Sequence, residues 1–404
     1  MDAYIARQPI FKKNMRIYGY ELLFRSNSTE KIFTNTDADQ ATSRVVMESF
    51  YSRGLSTITG GKPAFINFTS RLIQENTATL FPKAQLVVEI LENVEPTADI
   101  INACRELSKK GYTLAMDDFI YRPEYDPLIK LSKIIKFDFL LCSPQEIENM
   151  MRQMNTKGKW LLAEKIETNE IFDMAVKLGF SLFQGYFFSK PVTLSAKALS
   201  PLKVSYMNLL NQINSEDYMD YRKLATTIRN DVALSYKLLK LVNSAYYGLR
   251  IEVKSITQAI TILGTIEIRK WIFMIALMGL SSDKPDEIVK MSMIRGRFLE
   301  RLNMKSISAH SNDIVFQTGL FSLLDVLMDM PMFSALEGIY LSEDIREALI
   351  EHTGALFNLL ELVTSLERSD WDKVDELASL LNIDTKLVSV EYLDAIKWCN
   401  EIQF

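Results

Sequence analysis

The chain changes its periodicity half-way along, and that change limits the fold more than any single residue does. Over the first half, short β-rich runs at 3–11, 16–24, 62–68, 86–91, 113–116, 134–137, 160–163 and 180–183 alternate with helical patterns at 41–51, 100–110, 144–154 and 170–178. Apolar strands in repeated strand–helix order imply a parallel sheet covered by helices. About eight such units favour a closed β/α barrel over an open sheet. From about Pro201 strand signals stop and helical spacing takes over. Leu234, Leu238, Leu241 and Val242 form one stripe, and Ile345, Leu349, His352, Leu356, Leu359 and Val363 form another. The stretch 190–201 is bracketed by Pro191 and Pro201 and poor in large apolar residues, so the boundary is expected near 195–200. The expected organisation is an α/β barrel over 1–195 and an all-α domain over 200–404.

The 404 residues suffice for two cored domains. With 48% hydrophobic and 24% charged residues the chain is globular. A net charge of −5 argues against a broad nucleic-acid surface. Cys104, Cys142 and Cys399 are widely spaced; with no signal peptide apparent, they point to reduced thiols and a cytoplasmic location. The most apolar helical stretch, 262–280, is interrupted by Glu267, Arg269 and Lys270. The uncharged remainder, 271–280, is too short to cross the roughly 30 Å hydrocarbon core and reads as a buried helix, so no membrane partner is expected.

Polar residues recur where the first-half strands give way to loops. Glu21, Asn67, Glu89, Glu92, Asp117, Asp118, Lys136, Glu164 and Gln184 all stand at or near such ends. In a β/α barrel these ends share one rim, which would bring distant carboxylates together as an oxygen-rich site for a hard divalent cation. Singly, each has an ordinary explanation, since a strand-end Asp commonly caps the next helix and a loop Glu is commonly solvated. The argument for a site rests on the set.

The ordered motifs Gln8-Pro9-Ile10, Glu21-Leu22-Leu23-Phe24-Arg25, Asn67, Glu89-Ile90-Leu91-Glu92, Asp117-Asp118-Phe119, Lys136-Phe137-Asp138, Glu164-Lys165-Ile166-Glu167 and Gln184-Gly185-Tyr186 resemble the EAL domain family over roughly residues 1–192. That family contains cyclic di-GMP phosphodiesterases and non-catalytic relatives on a TIM-like β/α barrel. The resemblance implies Mg²⁺ or Mn²⁺ held by Glu21, Asn67, Glu89 and Asp117, with Asp118 and Glu164 at a second ion. It further implies that Glu164 acts as a base, that Lys136 orients water or offsets phosphoryl charge, and that Gln184 lies near that water. Gln8, Arg25 and Asp138 would contact the dinucleotide, and Glu92 would position the loop after the paired aspartates. Two ions of this kind would clamp a scissile phosphate and activate water.

The departures from the family pattern cluster around that loop. The family sequence Asp-Asp-Phe-Gly-x-Gly is here Asp117-Asp118-Phe119-Ile120-Tyr121-Arg122-Pro123, so two glycines are lost and Pro123 adds restraint. Leu91 replaces the usual Thr, and Lys165-Ile166 replaces Gly-Val beside Glu164. Because catalysis needs tighter geometry than binding, these changes bear on turnover more than on the metal ligands.

Residues 224–264 resemble the HDOD domain, a helical relative of HD phosphohydrolases, and the likeness extends over about 200–404. The catalytic signature is missing: the corresponding stretch, Gly319-Leu320-Phe321-Ser322-Leu323-Leu324-Asp325, has no His-Asp pair. Of the two histidines, His310 lies near a helix start, and His352 is expected as a core histidine on its apolar stripe. This half is therefore expected to be a protein-interaction output module, with Asn243 near a helix C-cap. The combined resemblance implies a bacterial signalling protein of the cyclic di-GMP network, and the family expectation of a homodimer is weakened by the altered loop. The missing glycines favour a metal- and nucleotide-binding barrel over an active phosphodiesterase. The remaining alternative is a scaffold that binds neither.

Overall fold

The computed structural model describes residues 3–26, 54–154, 156–189 and 201–214, and then 225–402 with breaks at 227, 230–231, 244–246, 248, 250, 282–283, 306–309 and 338. The expected helix at 41–51 and the expected boundary at 195–200 lie outside the described residues. The chain divides into two compact units, one of residues 1–190 with 366–371, the other of 191–365 with 372–404.

The first unit contains a closed eight-stranded barrel. Its strands are β1 (Ala3–Lys12), β2 (Ile17–Ser26), β3 (Ala64–Phe68), β4 (Leu86–Ile90), β5 (Thr113–Met116), β6 (Ile134–Asp138), β7 (Trp160–Glu164) and β8 (Leu182–Gln184). Strands β2 to β8 pair in parallel, but β1 runs antiparallel to both β2 and β8, so the sheet is not wholly parallel as expected. The reason is local. Only four residues join β1 to β2, closed by hydrogen bonds from Lys12 N to Arg16 O and from Met15 N to Lys12 O, both 2.8 Å. A parallel connection needs a crossover of a dozen residues or more.

Helices Ala98–Lys110, Pro144–Gln153 and Asn169–Lys177 follow β4, β6 and β7. The second starts where Ser143 and Glu146 form a reciprocal capping box with Pro144 in the first turn. Inside the barrel, Ile10, Phe65, Val87, Ala115, Ile134, Leu162 and Leu182 form one packed layer, each from a different strand. The remaining strand has Gly19 there; a Cβ at Gly19 would lie 2.6 Å from the Pro63 carbonyl and 3.1 Å from the Phe65 ring. Side chains alternate along a strand, so the residues two positions nearer one rim share that inward face, two further on in β2 to β8 and two earlier in the reversed β1. Those residues are Gln8, Glu21, Asn67, Glu89, Asp117, Lys136, Glu164 and Gln184. The apolar layer is the floor beneath the polar series.

The second unit is helical in its described residues. Leu234, Leu238, Leu241 and Val242 are buried as expected, and so are Trp271 to Leu277. Asn243 closes its helix by donating to Leu239 O and Val253 O, both 2.9 Å, and accepts from Val253 N at 2.7 Å. The expected stripe 345–363 is interrupted: a π-helical turn, Glu347–Glu351, ends at His352 in the left-handed region (φ 58°), and a new helix runs Gly354–Glu367. His352 is exposed at that break and is not a core histidine. The flanking apolar spacing is genuine, but Thr353 and Gly354 divide it between two helices. Among the described residues, no helix is long and apolar enough to cross a membrane.

Candidate metal centre

Lys136 on β6 is fully buried at the centre of the polar layer. Its Nζ lies 2.6 Å from Glu89 Oε1, 2.6 Å from Asp117 Oδ1, 2.9 Å from Glu164 Oε1 and 3.5 Å from Glu21 Oε1. Strands β2, β4 and β7, and the residue that follows β5, thus each send one carboxylate to one ammonium. Gln184 on β8 completes the ring, its Nε2 donating to Glu21 Oε2 at 2.6 Å and to Gln8 Oε1 at 3.0 Å.

A single ammonium does not satisfy this cluster. Both oxygens of Glu89, Oε2 of Glu164 and Oδ1 of Asn67 are buried without a hydrogen-bond partner. Glu89 Oε1 has the Lys136 ammonium as an ion-pair partner at 2.6 Å, so Oε2 is the Glu89 oxygen with no partner of either kind. Burial pushes the Glu89 and Glu164 carboxyls well above the usual carboxylate range, against the opposing pull of Lys136. Desolvation acts to lower the Lys136 pKa, but Asp117, Glu164, Glu21 and Glu89 outweigh it and leave the group well above the ordinary lysine range.

Two groups of carboxylates have ligand atoms within 4.8 Å of one another: Glu21, Glu89 and Asp117, and Asp117, Asp118 and Glu164. An all-oxygen donor set with bare buried oxygens fits a hard divalent cation.

The other expected site residues are placed as follows. Asp138 ends β6; its Oδ1 accepts from Leu140 N at 2.7 Å and Leu141 N at 3.0 Å, while Oδ2 accepts from Lys165 Nζ. Arg25 lies on β2 opposite Tyr4 of β1, four residues beyond Glu21. The Glu92 side chain is exposed, and the tie to the loop runs through its carbonyl, which accepts from the Tyr125 hydroxyl at 3.4 Å. Asp118 takes a left-handed φ of 37°. Burial, with Asp117 adding to it, raises the Asp118 pKa.

Family models match the chain as an EAL domain over residues 3–191 and as an HDOD domain over 199–324. It is 37% identical to the Bacillus subtilis protein YuxH across 100% of this chain and 99% of that one. The chain belongs to the EAL–HDOD family. A second relative, named cyclic di-GMP phosphodiesterase CdgJ, from Vibrio cholerae, is 34% identical over 99% of this chain and 93% of its own length. Among solved structures, a manganese and cyclic di-GMP complex of Klebsiella pneumoniae BlrP1 aligns at 22% identity with a TM-score of 0.38, covering 46% of this chain and 55% of that one.

Within this EAL domain the altered loop does not use the glycine conformations its sequence lacks. Neither Ile120 nor Arg122 has a positive φ. Phe119 is buried, its N–H donates to Lys136 O at 3.1 Å, and its ring packs edge-on to Phe137 and Tyr125. Pro123–Tyr125 then turns in a 3₁₀ helix. The expected conformational penalty therefore does not arise at Ile120 or Arg122; the left-handed positions fall at Asp118 and at Lys165, the second of which stands where the family has glycine.

Gly185, next to Gln184, is a position only glycine can fill. At φ 144° its Cβ would lie 2.1 Å from the Ile166 carbonyl oxygen.

In the second unit, Ser322, Asp325 and His352 line a cavity of about 370 Å³, and Oδ1 of Asp325 is buried without a hydrogen-bond partner. The cavity was not foreseen from sequence because its walls come from either side of the hidden break at His352. The cysteines carry no signal of catalysis: none is in a disulfide, and burial pushes Cys104 up to about 11.

Proposed function

We propose that this EAL–HDOD chain is a divalent-metal-dependent phosphodiesterase that opens cyclic di-GMP to its linear dinucleotide, with the helical half serving as a protein-interaction module. The observation that carries this reading is the convergence of Glu21, Glu89, Asp117 and Glu164 on Lys136, with buried oxygens left unsatisfied. The name of the Vibrio cholerae relative supports it.

Glu21, Asn67, Glu89 and Asp117 would hold Mg²⁺ or Mn²⁺, with Asp118 and Glu164 as the candidates for a second ion. When bound, the ion polarises the phosphate and lowers the barrier to attack by water. Glu164, through its unpartnered Oε2, accepts a proton from the attacking water. Lys136 supplies positive charge toward the phosphoryl oxygens. Gln184 fixes Glu21 and Gln8, while Gln8 and Arg25 contact the dinucleotide and Asp138, its oxygens engaged by Leu140 N, Leu141 N and Lys165, positions that lysine. A cytoplasmic location and a homodimer belong to the same reading; three cysteines outside any disulfide fit the former.

A second reading, a barrel that binds cyclic di-GMP without turnover, is favoured by Lys165, whose ammonium sits on Asp138 and 3.9 Å from Asp118. Purified full-length protein incubated with cyclic di-GMP and Mg²⁺ or Mn²⁺ separates the two. Linear product by chromatography, abolished by Glu21→Gln, is the expected result. Calorimetric binding without product would select the sensor, and no binding heat at any metal concentration would overturn both.

A further inference from the structure

Resting on the metal-centre reading above, we propose that Lys165 is a resident cation at the Asp118 side of the cluster, standing in for a second divalent ion. The chain then takes up a single ion, at Glu21, Glu89 and Asp117.

The two carboxylate groups differ in their need for charge. Glu21, Glu89, Asp117 and Glu164 surround one ammonium, Lys136, which leaves three formal negative charges. Asp118 and Asp138 face the ammonium of Lys165, which leaves one. Asp117 and Glu164, which the second group shares, already face Lys136, and Lys165 faces its remaining member Asp118, so a divalent ion on the Asp118 side competes with a resident ammonium. Of the buried oxygens without a hydrogen-bond partner, those of Asn67 and Glu89 lie with the first group and Oε2 of Glu164 is the one the second group contributes, while Asp118 is 34% exposed and both oxygens of Asp138 are engaged.

Lys165 is held in place on both sides. Asp138 has a side chain only 3% exposed; two backbone N–H groups take its Oδ1 and Lys165 takes its Oδ2. Past Lys165, Ile166 N donates to Gln184 O at 3.0 Å and Phe187 N donates to Ile166 O at 3.1 Å, so the backbone that carries the lysine is fixed to β8. Lys165 itself has φ 54°, a region a long side chain adopts at a cost and glycine adopts freely. A lysine retained there, with its ammonium turned onto two site aspartates, is strain tied to a charge. Its half-exposed stem leaves the ammonium room to swing onto a bound phosphate.

The test is Mn²⁺ stoichiometry on metal-stripped full-length protein, by titration calorimetry and by electron paramagnetic resonance; neither depends on turnover. Wild type is expected to bind one Mn²⁺ with the six-line spectrum of an isolated ion. Lys165→Gly and Lys165→Gln are each expected to bind two, with the broadened spectrum of a coupled pair. Circular dichroism and melting confirm that both variants fold, and the left-handed backbone makes glycine the safer of the two. Two ions in wild type would overturn the proposal and leave the metal reading standing. One ion in all three proteins would overturn the role of Lys165. No Mn²⁺ bound to wild type would bring down the metal reading and the proposal together.

Discussion

Lys136 Nζ and Glu89 Oε1 lie 2.6 Å apart, and neither side chain has any exposure to solvent. A buried pair of this kind is poor evidence of net stability, but removing one partner is costly because the other charge is stranded. Here three further carboxylates would be stranded with Glu89.

Lys136→Met is accordingly expected to destabilise the metal-free protein by about 3–5 kcal/mol. Added Mn²⁺ should raise the melting temperature of the variant more than that of wild type, since the ion supplies the charge that the lysine no longer does. Thermal melts in chelator and in Mn²⁺ check both parts. Equal metal-induced shifts in the two proteins would contradict the account.

Glu21→Gln keeps the shape of the side chain and removes one charge from the cluster. Turnover of cyclic di-GMP should fall by about 10²-fold or more, and metal affinity should weaken, while the fold is retained. Product chromatography and calorimetry on the same sample check the two effects.

Gly185→Ala would place a methyl group 2.1 Å from the Ile166 carbonyl oxygen, in a backbone region closed to alanine. A loss of about 3 kcal/mol is expected, with weaker metal binding because Gln184 and Ile166 move together. A urea unfolding midpoint close to that of wild type would show that the β7–β8 junction is softer than described.

In the helical unit, Lys270 meets Glu300, which is fully buried and also accepts from Arg297 at 2.7 Å. Desolvation acts to lower the Lys270 pKa, but Glu300 and Glu267 outweigh it, so the folded value lies above the ordinary lysine value of 10.5. A raised lysine contributes stability that is fully present below pH 10.5 and is lost as pH rises through the folded value. Lys270→Met should therefore cost stability at neutral pH, by about 3 kcal/mol. The gap to wild type should close as the pH rises beyond 10.5. Denaturant titrations at neutral and alkaline pH measure it.

Much of the barrel was legible because its strand runs are apolar and bounded by turn residues, and because side-chain alternation puts Ala115 and Asp117, or Leu162 and Glu164, on one face. The reversed β1 was legible only through the four-residue loop at Lys13 to Arg16. What sequence could not give was conformation at single residues. The missing glycines at Ile120 and Arg122 looked costly until Asp118 and Lys165 proved to hold the left-handed positions. At His352 apolar spacing continued unbroken across a break in the helix, because spacing records which residues are buried and not whether one helix carries them. The series also identified Lys136 as a site residue without showing that four carboxylates would surround it, since that depends on closure of the barrel.

The antiparallel seam has a consequence for how the centre comes into being. Gln184 on the last strand holds Glu21 and Gln8, which belong to the first two, and β8 pairs with β1 through Ile10. A nascent chain emerging from the ribosome can pair β1 with β2 early, but those side chains wait for the final strand of the ring before they are fixed. The acidic centre is thus completed only when the ring shuts, and a chain that stops short of β8 lacks the amide that holds Glu21 and Gln8.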